Sequence, residues 1–249
     1  MIISFFEEYP NKKNLEKIKL LTFQTKLYIA ASNLKKFKEI KGKIHSKKVK
    51  EVIWWPILKE DEGYWLSPFA KRKALLRIME ESKGISIMWD AERPRQWKLI
   101  LTQLPNFLKN KKIIRQYISS HIKPVYTAEY FPEKGLAARL LKFLGLEFDP
   151  NKYNNKVIKM VYTSMHNYSL RFLRKEFSKG VSLYKDKFLV ALGTIATGVE
   201  SNEPKLSPEQ LERDLKLAKE AGVKEVVIYR LGGLDMKYTR AITKFRCEP

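Results

Sequence analysis

The sequence predicts a (β/α)8 barrel, the TIM-barrel architecture, filling residues 1–249 as a single domain. Short apolar runs rich in Val, Ile, Phe, Tyr and Trp recur along the chain, and each is too short for a helix, so each reads as a buried strand. Most are followed by a Lys- and Glu-rich amphipathic stretch, and strands alternating with helices argue for parallel βαβ units. Eight such units in 249 residues match the repeat count of the barrel.

In order, the strands are expected at Ile2–Phe6, Lys26–Ala30, Glu51–Trp55, Ile85–Trp89, Lys123–Ala128, Val157–Ser164, Phe188–Ile195 and Glu225–Leu231. Helices are expected to start near Asn11, Asn33, Ser67, Arg95, Pro132, Ser169, Ser207 and Asp235. The clearest start is Ser207-Pro208-Glu209-Gln210, with Ser as N-cap, Pro at the first helical position and Gln placed for a capping box. Between residues 95 and 121 a helix should break at Pro105, which lacks a backbone donor and clashes with the preceding turn. The loop from Pro56 to Ser67 is longer than a usual βα connection and carries Tyr64 and Trp65. The segment Leu144–Asn155 reads as a loop on the opposite end, with no evident chemistry.

Hydrophobic residues at 44% and charged residues at 31% are the balance of a globular chain, and no apolar stretch approaches the roughly 18 residues of a membrane span. No basic leader precedes the first strand, so no signal peptide is expected. The one cysteine, Cys247, cannot form an internal disulfide and fits a reducing cytoplasm. Walker-type loops, GxGxxG after a strand, HExxH and paired cysteines are all missing, which disfavours nucleotide-binding and zinc-protease classes, and the leading reading takes no cofactor and no metal.

The formal net charge of +22 has two readings: an anionic partner, or lysines that merely solvate the helices. The densest stretch, Lys35–Lys50, covers the second helix and the loop into strand three. In a barrel that loop lies at the end away from catalysis. Lys237, Arg240, Lys244 and Arg246 of the last helix would neighbour it.

Barrel enzymes build their sites at the carboxyl ends of the strands. The sharpest signal there is Ile85-Ser86-Ile87-Met88-Trp89-Asp90-Ala91-Glu92. Alternation assigns Ile85, Ile87 and Trp89 to the helix layer and Ser86, Met88, Asp90 and Glu92 to the barrel interior. Two nearby carboxylates oppose each other's ionisation, which splits them into an acid and a charged partner. Glu129 closes strand five and is expected to join the pair as nucleophile or general acid. Glu7 and Glu8 end strand one, and Glu8 faces inward if Ser4 and Phe6 do. Tyr162, Ser164 and His166 are expected to share one face of strand six, and strand eight offers Tyr229 and Arg230. Aromatics crowd the expected catalytic end, namely Trp54, Trp55, Tyr64, Trp65, Trp89, Tyr126, Tyr130, Phe131 and Tyr162, a set suited to stacking on sugar rings or bases, with Trp55 and Trp65 as the platform candidates.

An apolar fourth strand ending in Asp90-Ala91-Glu92 resembles the strand-four signature of barrel glycoside hydrolases, including chitinase-like and lysozyme-like groups. Val161-Tyr162-Thr163-Ser164 is similar to a Tyr-Thr run of the lysozyme-like members. The resemblance implies a carbohydrate substrate, Glu92 as proton donor, Asp90 as its supporting carboxylate, and Tyr162 near the scissile bond. Where the chitinase-type pattern carries further Asp residues, this chain has Ser86 and Met88. Two other readings stand beside it. One is a divalent-metal barrel of the sugar-isomerase or endonuclease sort, with Glu92, Glu129, His166 and Asp235 as ligands to Mg or Mn. The other is a non-catalytic barrel that binds a polyanion through the Lys35–Lys50 flank.

Overall fold

The structure is a computed structural model that describes residues 1–131 and 135–245. The helix start expected at Pro132, together with Arg246 and Cys247, lies outside the described residues. In chain order the elements are β1 (Ile2–Glu7), α1 (Lys12–Leu15), β2 (Thr25–Ala31), α2 (Leu34–Lys41), β3 (Val49–Pro56), α3 (Arg72–Glu81) and β4 (Ile87–Asp90). Then follow α4 (Trp97–Thr102), α5 (Phe107–Ser120), β5 (Val125–Tyr130), α6 (Gly135–Leu144), α7 (Pro150–Tyr153) and β6 (Lys156–Val161). The chain ends with α8 (Leu170–Tyr184), β7 (Phe188–Gly193), α9 (Pro208–Glu220), β8 (Glu225–Tyr229) and α10 (Met236–Thr243). The strands form a closed parallel barrel in the order β1 to β8, the (β/α)8 arrangement the sequence predicts. Contacts group the chain into two compact units, residues 1–30, 40–52 and 160–249 in one and 31–39 and 53–159 in the other.

Local chemistry explains the element boundaries. Ser207 and Gln210 form the expected capping box, and Asn11, Ser169 and Asp235 each accept a backbone N–H at the start of their helices. Pro105 lies in a 3-10 turn, Leu104–Asn106, that separates α4 from α5. Three expectations shift. Ser67 begins a tight turn, accepting from Ala70 N–H at 3.0 Å, so the helix itself starts at Arg72. A turn in which Ile85 N–H bonds the Ser82 carbonyl delays β4 to Ile87. β6 stops at Val161, and the Met165 and His166 N–H groups both turn back to the Tyr162 carbonyl, at 2.9 and 3.1 Å. Tyr162, Ser164 and His166 therefore sit on a turn and not on one strand face.

In the unit of residues 31–39 and 53–159, alternation is visible in the tryptophans. Trp54 pairs with Ile87 in the ladder, stacks on Phe37 of α2 and donates its indole N–H to the Ala31 carbonyl at 2.9 Å. Trp89 packs on Tyr117 of α5, with ring centroids 5.5 Å apart, and donates to the Leu66 carbonyl at 3.0 Å. Both rings are fully buried between strand and helix, with their one polar atom satisfied. Trp55, Met88 and Asp90 therefore occupy the opposite face.

In the other unit, β1 lies between β2 and β8, with Phe6 in register with both Tyr28 and Tyr229. The three rings meet edge-on, at 5.3 Å for Phe6–Tyr28 and 6.3 Å for Phe6–Tyr229. Towards the strand starts, buried Glu225 accepts from Ser4 (2.8 Å), Tyr28 (3.1 Å) and Lys26 (2.7 Å). This polar plug supports the aromatic layer, and its carboxylate has donors on both oxygens, the condition for burying charge.

Candidate active site

Asp90 is the last residue of β4 and is 2% exposed. The Trp55 indole N–H donates to its Oδ2 at 3.1 Å. Trp55 is itself 4% exposed, so it holds the carboxylate in place and does not offer an open stacking face. The ladder continues one residue further, with Ala91 N–H on the Ala128 carbonyl at 2.9 Å. Glu92 then follows, half-buried, with the Tyr130 hydroxyl hydrogen-bonded to its carboxylate. Burial first, and then the Glu92 charge, push the Tyr130 hydroxyl far above its usual range, so it stays protonated and donating. Tyr130 and Tyr126 lie on the Asp90 face of the sheet, since Met88 pairs with Tyr126 and Asp90 with Ala128. Tyr126 is buried below the level of the pair. Trp65, half-buried in the long loop, meets Tyr64 edge-on at 5.3 Å, and the Arg95 guanidinium lies 5.6 Å from the Tyr64 ring.

Glu129 does not join this pair. Thr127 is in register with Trp89, so Thr127 and Glu129 point into the helix layer, on the side opposite Asp90. There Glu129 is fully enclosed, accepting from Thr127 Oγ1 (2.8 Å), the Phe148 N–H (3.0 Å) and Lys159 Nζ (2.8 Å). Burial raises its pKa, against the opposing pull of Lys159. The segment that supplies Phe148, read from sequence as a loop without chemistry, encloses this ion pair.

In the unit carrying β1 and β8, Glu8, Tyr229 and Tyr162 come together. The Tyr229 hydroxyl donates to Glu8 Oε2 at 2.5 Å, and the Tyr162 ring lies 5.8 Å from that of Tyr229. Burial and then the Glu8 charge raise the Tyr229 pKa strongly. Gly198 closes over this hydroxyl, where a Cβ would stand 1.8 Å from the Tyr229 oxygen. Glu203 fixes the Gly198 loop by accepting the Gly198 and Glu200 N–H groups, each at 3.0 Å. Arg230 turns away: it donates to Glu7 Oε1 (3.1 Å) and the Thr197 carbonyl (2.9 Å) and covers the Tyr9 ring at 4.8 Å. Glu7 is the buried partner of that clamp, also accepting from Gly232 N–H at 2.7 Å.

Three of the four residues of the metal reading have other surroundings within their own units. Asp235 caps α10, Glu129 is bound to Lys159, and His166 is exposed beside Tyr168. Among the described residues no group of three His, Cys, Asp or Glu side chains could hold a cation. Glu203 carried no signal in the sequence; Tyr130 reads there only as one of the aromatics near the strand ends, and Glu7 only as the other carboxylate that ends strand one.

No family model matches the chain, and no curated protein matches it in sequence. Among solved structures it is similar to the PgaB (BpsB) glycoside hydrolase domain from Bordetella bronchiseptica, with a TM-score of 0.56, 12% identity and 98% of each chain covered. A chitinase from Chromobacterium violaceum gives 0.56, 8% identity and 98% of each chain. A family GH18 chitinase from Cycas revoluta, solved as a complex with allosamidin, gives 0.55, 12% identity, 98% of this chain and 99% of the other. At these identities the likeness is one of fold, and it is a TIM barrel with glycoside hydrolases among its solved neighbours.

Proposed function

We propose that the protein hydrolyses a glycosidic bond, with Glu92 as proton donor and Asp90 as its supporting carboxylate. The observation that carries the reading is the pair itself. A buried Asp90 is held by Trp55 at the end of β4, and Glu92 follows it, half-buried, against the Tyr130 hydroxyl. The protonated Glu92 gives its proton to the glycosidic oxygen as the bond to the anomeric carbon breaks. Positive charge then grows at that carbon, and the fixed Asp90 carboxylate stabilises it. Water adds to the same carbon, and its released proton restores Glu92. The half-buried Trp65 ring is the proposed sugar contact in this unit, and half-buried Tyr162, against the ring of Tyr229 that Glu8 holds, is a proposed sugar contact in its own. On its single cysteine, the cytoplasm is the proposed compartment.

Incubation with chitooligosaccharides, β-glucans and aryl glycosides, scored by release of reducing ends or aglycone, tests the reading. Turnover of at least one substrate that Glu92→Gln removes supports it, and no release from any of them sinks it.

An anionic partner is the second reading, and one observation favours it. A cleft of about 420 Å³ just beyond β2 is lined by Ser32, Asn33, Lys35, Lys59, Arg77 and Glu81. Salt-dependent retention on heparin that Lys35→Gln and Lys59→Gln weaken is its expected outcome; retention indifferent to both substitutions sinks it.

A further inference from the structure

Helices α4, α5 and α6 carry large apolar side chains on their outer faces. Trp97 (64% exposed), Leu101 (56%), Leu104 (54%) and Leu108 (69%) recur at spacings of four and three along α4, the 3-10 turn and the start of α5. On α6, Leu136 (81%), Leu140 (54%) and Phe143 (60%) do the same. The two sets are neighbours: the Phe107 and Phe143 rings lie 5.8 Å apart, and Lys111 Nζ sits 5.5 and 4.8 Å from them. Isolated exposed leucines need no explanation, but a continuous patch of this kind marks an interaction surface.

Charge identifies the occupant. From Arg93 to Ala128 the chain contains Arg93, Arg95, Lys98, Lys109, Lys111, Lys112, Arg115 and Lys123 and no Asp or Glu. α6 adds Arg139 and Lys142, again with no acid. Lys98, Lys109 and Lys112 are exposed beside the leucines, and Arg139 and Lys142 beside Phe143. A second copy of this surface would set cations against cations, since a two-fold interface places the same patch on both sides. The side chains stand 54–81% exposed on their helices, which suits a soft apolar medium. Trp, Leu and Phe projecting among Lys and Arg are the combination that lies in the interface of a charged bilayer. No helix among the described residues is long and apolar enough to cross a membrane, so the contact is one of surface docking.

We propose that the outer face of α4, α5 and α6 docks on an anionic lipid bilayer, with Trp97, Leu104, Leu108 and Phe143 entering the headgroup boundary and the flanking lysines meeting the lipid charges. This does not depend on the glycosidase reading. Trp97 follows closely after Glu92 in the chain, so docking would present the carboxylate end of β4 near the membrane surface.

Co-sedimentation with two vesicle types tests the proposal: phosphatidylcholine alone, and phosphatidylcholine mixed with phosphatidylglycerol. The protein should bind the mixed vesicles about tenfold more tightly than the neutral ones, less so as salt rises. Leu104→Gln with Leu108→Gln should weaken binding about a hundredfold, because each leucine withdrawn from water is worth about a decade of affinity. Both sites are exposed, so the melting temperature should not change. Lys98→Gln with Lys109→Gln and Lys112→Gln should flatten the salt dependence. Absence of vesicle binding overturns the proposal. So does binding that the lysine variants abolish and the leucine variants leave intact, which would mark a general polyanion surface. A concentration-dependent dimer that Leu108→Gln dissolves overturns it as well, since a second copy would then cover the face.

Discussion

The Trp55 indole N–H donates to Asp90 Oδ2 across 3.1 Å, joining neighbouring strands at the point where β4 ends. An aromatic ring that would otherwise read as a sugar platform is thereby a positioning residue for a buried carboxylate. Trp55→Phe keeps the ring's bulk and removes the donor. A hydrogen bond to a charged group contributes about 1.5–3 kcal/mol, so the unfolding free energy of the variant, read by urea titration, should fall by about that amount. On a cleaved substrate its kcat should fall more than its KM rises, because a misplaced Asp90 affects the transition state more than binding. Unchanged stability and kcat would show that the contact does not hold Asp90.

Tyr130 is the corresponding partner of Glu92. Its hydroxyl stays protonated through the neutral range, and a donor to a carboxylate favours the ionised form. Tyr130→Phe withdraws that donor and makes the proton on Glu92 harder to lose. The alkaline limb of the kcat/KM–pH profile, which reports loss of the general acid's proton, should move to higher pH. A profile unmoved by Tyr130→Phe would take Glu92 out of the donor role.

Glu129 and Lys159 form a buried ion pair, with the two side chains 1% and 17% exposed. Lys159→Met leaves the carboxylate enclosed without its cation, which should cost about 3–5 kcal/mol at neutral pH. The sign of the pH dependence follows from burial, which raises the folded pKa of Glu129 above the unfolded value. Between those two values the folded state binds more protons, so stability falls as pH rises through the window. The penalty of Lys159→Met should therefore shrink on acidification below the ordinary glutamate range. Equal penalties at acid and neutral pH would contradict the assignment.

Gly198 leaves no room for a side chain beside the Tyr229 hydroxyl. Gly198→Ala should destabilise by about 1–3 kcal/mol, the usual cost of overpacking. In a Tyr229→Phe background the clash loses its nearest atom, so the same substitution should cost measurably less. Additive costs would mean that the loop does not close over Tyr229.

The barrel was legible in the sequence because strand and helix periods alternate without interruption, and because the caps at Ser169, Ser207 and Asp235 are local chemistry. Within β4, apolar Ile87 and Trp89 alternate with Met88 and Asp90 strictly enough to assign Asp90 to the right face. β5 carried no such signal. Val125 and Thr127 on one face and Tyr126 and Ala128 on the other are all compatible with burial, as is usual where both faces of a parallel strand are covered. Only the register of Thr127 with Trp89 reveals that Glu129 faces away from Asp90. The role of Tyr130 was hidden for the same reason, since its meeting with Glu92 exists only once β4 and β5 are paired. At Tyr162 the apolar run Val157–Val161 flows into Tyr-Thr with no Gly or Pro to mark where the strand ends.

The most direct measurement compares wild type with Glu92→Gln on glycosides of one sugar that differ only in leaving group. A leaving group such as 2,4-dinitrophenolate departs without a proton, whereas an alcohol or a second sugar needs one. The account predicts that Glu92→Gln lowers kcat/KM by about 10²–10⁴ on the sugar-linked substrate and by far less on the dinitrophenyl glycoside, with Asp90→Asn slow on both. Equal losses on both leaving groups, or full activity in Glu92→Gln, would contradict Glu92 as the proton donor.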